Sequence, residues 1–158
     1  MVDGQMQQVE ALYRSHAPAL LKYLRRNFGS YASADDLLQE TFLRWLRRTG
    51  EQQLTESPRA FLFGIARHVG LTALRRAKQS RTQPIGEVAA APCIESDEDL
   101  RRMRLVIAEL PEQIRETLEL RLRDELSYEE IAAVLEIPLG TVRSRLHTAL
   151  RLLREAMT

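Results

Sequence analysis

Residues 126–154 read LSYEEIAAVLEIPLGTVRSRLHTALRLLR, and this stretch sets the frame for everything around it. Ser127 and Glu130 stand in the S-x-x-E arrangement, in which a hydroxyl and a carboxylate satisfy the first free amides of a helix. From that cap, Ile131, Val134 and Leu135 fall on one helical face. Pro138 has no amide hydrogen, so it ends the first helix and suits the opening of a second. Val142, Leu146, Leu150 and Leu153 then form an apolar stripe. A short capped helix, a turn of a few residues and a second helix make a helix-turn-helix pattern.

The charges sharpen that reading. Between Leu139 and Arg154 there are four arginines (Arg143, Arg145, Arg151, Arg154) and no acid, whereas Glu109 to Glu136 holds nine acids against three arginines. A helix that lies against phosphates gains by shedding its carboxylates, because each cation placed there releases condensed counterions. A charge run by itself usually means a solvated face. Here the acid-free run coincides with the second helix of the motif, which favours DNA binding.

Upstream of the motif, residues 112–123 (Ile114, Leu118, Leu122) and 97–109 (Leu100, Met103, Val106, Ile107) carry helical periodicity, separated by a break at Leu110-Pro111. Residues 79–97, QSRTQPIGEVAAAPCIESD, lose the periodicity and gain Pro84, Gly86, Pro92 and small residues, which reads as a linker between domains. Before it, Ser57-Pro58 starts a helix with a cap and a proline at the first position, running to about Lys78 with Phe61, Ile65, Val69 and Leu74 as core. Gly64 and Gly70 are poor choices inside that helix, so they imply close helix packing or the close approach of a ligand backbone. From Ser57 to Gly86 there are six basic residues and no acid, a second basic tract of this kind.

Ser33 with Asp36 starts an earlier helix through about Arg48, its inward stripe Leu38, Phe42 and Trp45. The first helix spans residues 9–28, with Val9, Leu12, Tyr13, Leu20, Leu21, Leu24 and Phe28 inward, bent near Pro18 and capped at Gly29. No strand pattern of useful length occurs. The expected fold is all-α: two small helical domains, residues 1–78 and 98–158, joined by a flexible linker at 79–97.

Composition excludes several classes. Nothing approaches the roughly 18 consecutive apolar residues of a membrane span, and the start, MVDGQMQQVE, has no secretory pattern. The single cysteine, Cys93, forms no internal disulfide and fits a cytoplasmic protein. His16, His68 and His147 lack companions at metal spacing, and there is no glycine-rich phosphate loop or nucleophile elbow. No enzyme, cofactor or metal is expected. The net charge of +1 hides local segregation, which tells more about partners than the total does.

Three segments together resemble a known family. Asp36-Leu-Leu-Gln-Glu-Thr-Phe-Leu-Arg44, Pro58-Arg-Ala-Phe-Leu-Phe-Gly-Ile-Ala-Arg67 before Arg75-Arg76, and Leu126–Leu146 look like bacterial sigma factors of the extracytoplasmic-function (ECF) branch of the sigma-70 family, group IV. The likeness covers about residues 8–156, in the family's order. It implies a protein that binds core RNA polymerase and directs it to specific promoters, with no catalysis of its own. The first domain would recognise and help melt promoter DNA near −10, and the second would read the duplex near −35.

The resemblance also assigns residues. Asp36, Gln39, Glu40 and Leu43, on one helical face distinct from the core stripe, would dock on the β′ coiled coil of core polymerase. Arg59, Arg67, His68, Thr72, Arg75 and Arg76, with loop 49–57, would meet the −10 element. The family's frequent tryptophan is replaced by Phe61, which reads as core, and His68 and Thr72 replace a common polar amide or acid. Arg143, Ser144, His147 and Thr148 would face bases near −35, while Arg145 and Arg151 would hold phosphates. Glu136 replaces the family's common turn glycine, so a left-handed backbone there would store strain. An anti-sigma factor, often membrane-anchored, is a further implied partner and would hold the cytoplasmic protein at the inner membrane. FLFGIARH and PRAF are similar to the iron-uptake subgroup. Two other readings of the same residues stand beside this one. One is a polymerase-independent helix-turn-helix regulator with 1–78 as a dimerisation or effector module; the other is a module that only sequesters a partner.

Overall fold

The computed structural model describes residues 2–48, 57–80 and 97–158. The chain divides into two compact units, Met1–Ala90 and Ala91–Thr158, and every regular element among the described residues is an α-helix. The first unit holds α1 (Val2–Phe28), α2 (Ala34–Arg47) and α3 (Pro58–Gln79), each packed on the other two.

Local chemistry starts these helices where the sequence said it would. The Ser33 side chain accepts the Asp36 amide to open α2, and the Ser57 side chain accepts the Ala60 amide at 3.2 Å to open α3, with Pro58 following the cap. Helix α1 begins earlier than expected, at Val2, and is continuous through Pro18. The core is built from Leu20, Tyr23, Leu24 and Phe28 of α1, Leu37, Leu38, Phe42 and Trp45 of α2, and Leu62, Phe63, Ile65 and Val69 of α3. Thr41, buried among them, satisfies its hydroxyl by donating to the Leu37 carbonyl at 2.7 Å.

Two core expectations are corrected in this unit. Tyr13 is 45% exposed, its ring lying against Phe42 at 4.8 Å between centroids, and Tyr23 is the tyrosine of the interior. Phe61 is only half-buried; the buried aromatic of α3 is Phe63, edge-on to Tyr23 at 5.3 Å. A stripe of single positions underestimated α3, which is covered by two helices and so buries adjacent residues such as Leu62 and Phe63. The two glycines also part company. A Cβ on Gly70 would lie 2.3 Å from ring atoms of Phe28, so the helices meet there too closely for a side chain, whereas a Cβ on Gly64 would meet nothing within 4 Å.

The second unit holds α4 (Glu98–Glu109), α5 (Glu112–Leu122), α6 (Tyr128–Leu135) and α7 (Leu139–Met157). Helices α4, α5 and α6 all pack on α7. At the start of α6 both halves of the capping box form: Glu130 N–H donates to the Ser127 hydroxyl at 3.1 Å, and Ser127 N–H donates to the Glu130 carboxylate at 3.0 Å. Glu136 then turns the chain in the left-handed region, with φ 56° and ψ 46°, the strained geometry anticipated for it. The Ile137 amide donates back to the Ala132 carbonyl at 3.1 Å, which closes the turn before Pro138 caps α7. A second left-handed residue, Glu125 at φ 56°, turns the chain between α5 and α6 and seats the fully buried Leu126.

Leu118, Leu120, Ile131, Val134, Val142, Leu146, Ala149 and Leu153 form the interior of this unit. Burying an aliphatic side chain of this kind contributes about 1.5–3 kcal/mol relative to exposure. Here too the expected stripes shift. Leu122 is 57% exposed and Leu150 is 50% exposed, their places taken by Leu120 and Ala149. Leu100 is exposed as well, and α4 buries no residue completely, since it touches α7 on one side only.

Candidate nucleic-acid interface

The helix-turn-helix aims one side of α7 at solvent. Val142, Leu146, Ala149 and Leu153 anchor its inner side, so residues displaced from them by about a quarter-turn or more point outward. Arg143, Ser144, His147 and Arg151 are all exposed, and Thr148 is half-buried at the edge of the same surface. Arg143, His147 and Arg151 repeat every four residues, forming a continuous ridge from the first turn towards the middle of the helix. Pro138 makes no side-chain cap, and the first turn of α7 holds no acid, so the positive end of the helix dipole is left to an external anion.

Two arginines assigned to phosphates behave differently. Arg151 Nη1 donates to the Glu155 carboxylate at 3.2 Å, an exposed pair that offsets part of its charge. Arg145 is half-buried and turns towards α5, where its Nη2 donates to the Gln113 side-chain oxygen at 3.4 Å. Gln113 was not singled out in the sequence; it lies 32 residues from Arg145, and only the packing of α5 on α7 brings the two together.

In the first unit, His68, Thr72, Arg75 and Arg76 follow one side of α3 at intervals of three and four, with His68 and both arginines exposed. The Thr72 hydroxyl donates to the His68 carbonyl at 2.9 Å, which leaves its oxygen as an acceptor at the surface. Arg59 sits in the first turn and Arg67 beside His68, both half-buried. No acid stands in the first turn of α3, and Arg76 and Lys78 close its last turn, where they complement the dipole. Loop residues 49–56 and most of the linker, residues 81–96, lie outside the described residues.

Helix α2 presents a third surface. Asp36, Gln39 and Leu43 are exposed and Glu40 is half-buried, all turned away from the Leu38, Phe42 and Trp45 core. Arg44 Nε donates to the Glu40 carboxylate at 3.1 Å, so this ridge is less acidic than its sequence suggests. Leu46, 40% exposed, extends its apolar part beyond Leu43. Among the described residues, no three His, Cys, Asp or Glu side chains converge to hold a metal ion, and no helix is long and apolar enough to cross a membrane.

Comparison with known proteins matches both units. Residues 12–80 match the family described as Sigma-70 region 2, and residues 100–153 match Sigma-70, region 4. The chain is 34% identical over 161 residues to RNA polymerase sigma factor CarQ of Myxococcus xanthus, covering 98% of this chain and 92% of that protein. It is 33% identical over 155 residues to ECF RNA polymerase sigma factor SigL of Mycobacterium tuberculosis, covering 92% of this chain and 86% of that protein. Among solved structures it is similar to the sigma factor RpoE of Bartonella quintana, crystallised with the anti-sigma factor NepR. There the TM-score is 0.61 and the identity 27%, over 87% of this chain and 91% of that one.

Proposed function

The chain belongs to the extracytoplasmic-function branch of the sigma-70 family of RNA polymerase sigma factors, and from that membership we propose how its surfaces divide the work of promoter recognition. The α2 ridge of Asp36, Gln39, Glu40 and Leu43 docks on the β′ coiled coil of core RNA polymerase. An acid-and-amide surface with one leucine orients a basic helical partner more than it adds raw affinity. The exposed side of α3, with Arg59, Arg67, His68, Thr72, Arg75 and Arg76, holds the −10 region as its strands separate. Unstacked bases and their backbone are held by a basic groove of this kind. The outward ridge of α7 enters the major groove near −35, where Arg143, Ser144, His147 and Thr148 face base edges and Arg145 and Arg151 grip phosphates. The protein works by binding, and the chemistry of RNA synthesis stays with the polymerase.

The observation that carries this reading is the pair of basic helices, α3 with no acid and α7 with none before Glu155, one in each compact unit, alongside a separate polar ridge on α2. A regulator acting alone would have no use for the ridge. The relative from Bartonella quintana is held by an anti-sigma factor, and a partner of that class keeps this cytoplasmic chain inactive until it is released. Mapping transcription starts after overexpression tests the proposal. New starts should share two sequence blocks, near −35 and −10. Symmetric half-sites bound by the free chain, with no shared blocks, would overturn it.

A further inference from the structure

We propose that Gln113 of α5 is a positioning residue for DNA binding: its neutral amide aims Arg145 of α7 at a phosphate without cancelling the arginine's charge. The inference rests on the reading of α7 as the helix that lies in the promoter duplex.

Both ends of this contact are anchored by packing. On α5, the Gln113 carbonyl accepts the hydroxyl of the fully buried Thr117 at 2.8 Å, and Leu118 next to it is buried as well. On α7, Arg145 lies between the buried Val142 and Leu146. The two backbones are therefore fixed against each other, and the side chains alone remain to be ordered. An arginine that is free before binding loses many rotamers when it clamps a phosphate. A hydrogen bond from Nη2 to the Gln113 oxygen, at 3.4 Å, removes part of that loss in advance.

The chemistry of the partner matters as much as its position. A carboxylate would hold the guanidinium more tightly, but it would also neutralise the charge that displaces counterions from DNA. Arg151, paired with Glu155 at 3.2 Å, shows what that arrangement looks like on the same helix. At residue 113 the chain carries the uncharged isostere, so Arg145 is oriented and still a full cation. The remaining donors of its fork stay available for a bidentate grip.

The test uses the full-length chain assembled with core polymerase, bound to a duplex promoter fragment containing the −35 region, with affinity measured across a salt series. Arg145→Ala should flatten the slope of log affinity against log salt by about one. Gln113→Glu, nearly the same in size, should weaken binding about tenfold and flatten the slope by a similar amount, by trapping Arg145. Gln113→Leu should keep the parent slope and weaken binding a few-fold, because the charge remains but its aim is lost. In the Arg145→Ala background, Gln113→Glu should add little further loss. A parent slope in Gln113→Glu, or a full additive loss in the double variant, overturns the inference. If Arg143→Ala and Arg145→Ala both leave affinity and slope untouched, the reading of α7 itself falls and takes the inference with it. An effect of the arginines with none of Gln113 removes the inference alone.

Discussion

Gly64 and Gly70 sit in the same helix, and the same substitution at each should move stability in opposite directions. Glycine inside a helix costs about 1 kcal/mol relative to alanine, so Gly64→Ala, with nothing within 4 Å of the added Cβ, should stabilise the first unit by roughly 0.5–1 kcal/mol. Gly70→Ala gains the same propensity but places a carbon 2.3 Å from Cδ2 and Cε2 of Phe28 and 2.6 Å from Cγ. Ordinary carbon contacts lie at about 3.5–4.0 Å, so the ring would have to retreat by more than an ångström. It has little room, being buried and edge-on to Tyr23 at 6.1 Å. Overpacking of this kind costs about 1–3 kcal/mol, which, less the propensity gain, leaves a net destabilisation of up to about 2 kcal/mol. Trp45, the only tryptophan in the chain, is buried in this unit and reports its unfolding by fluorescence. For a unit of this size, about 1 kcal/mol shifts the midpoint by about 4–8 °C. Gly64→Ala should therefore melt several degrees higher than the parent and Gly70→Ala several degrees lower. Phe28→Leu should recover part of the Gly70→Ala loss in a double-mutant cycle. A Gly70→Ala variant as stable as the parent, or a destabilised Gly64→Ala, would refute the packing argument.

Other variants probe the second unit. Ser127→Ala removes one half of the capping box and should lower the urea midpoint by an amount equivalent to about 1 kcal/mol, without altering the slope of the transition. Glu136→Gly relieves the left-handed turn and should raise stability by about 1 kcal/mol; a fall in the melting midpoint would mean that the Glu136 side chain supports the turn more than its backbone strains it. Arg143→Ala should leave the melting curve in place, since the residue is exposed, yet lose about 1–3 kcal/mol of discrimination between the cognate −35 sequence and a single-base variant in competition binding. Equal discrimination in parent and variant would remove Arg143 from base reading.

The sequence was most informative where local chemistry acts alone. Ser33, Ser57 and the Ser127–Glu130 box fix helix starts through hydrogen bonds to residues three positions away, and all three sit where the sequence placed them. The motif residues Ile131, Val134, Val142 and Leu146 were equally plain, and all four are buried. Legibility fell where tertiary packing chooses between neighbouring positions on one face. Tyr23 rather than Tyr13, Phe63 rather than Phe61, Leu120 rather than Leu122, and Ala149 beside an exposed Leu150 all differ from the simple stripe in this way. Ala149 is buried because α7 is covered from several directions, and a small residue lets another helix approach. The candidate site divides along the same line. The exposed ridge on α2 was readable from helical spacing and the residues on α7 came from the family resemblance, whereas the tie between Gln113 and Arg145 depends on a helix–helix contact that no local pattern encodes.

The central claim is that this chain acts on promoters as part of RNA polymerase, through the ridge on α2. Purified core polymerase should be mixed with the parent chain, or with the Gln39→Ala, Glu40→Ala double variant, and transcripts measured from a mapped promoter. Both substituted residues lie outside the core of the unit, so the variant should fold as the parent does. The parent should yield promoter-specific transcripts that core alone does not make, and the variant should need a substantially higher concentration to do the same. Specific transcripts with the ridge variant at unchanged concentration, or none with the parent on any genomic fragment, would contradict it.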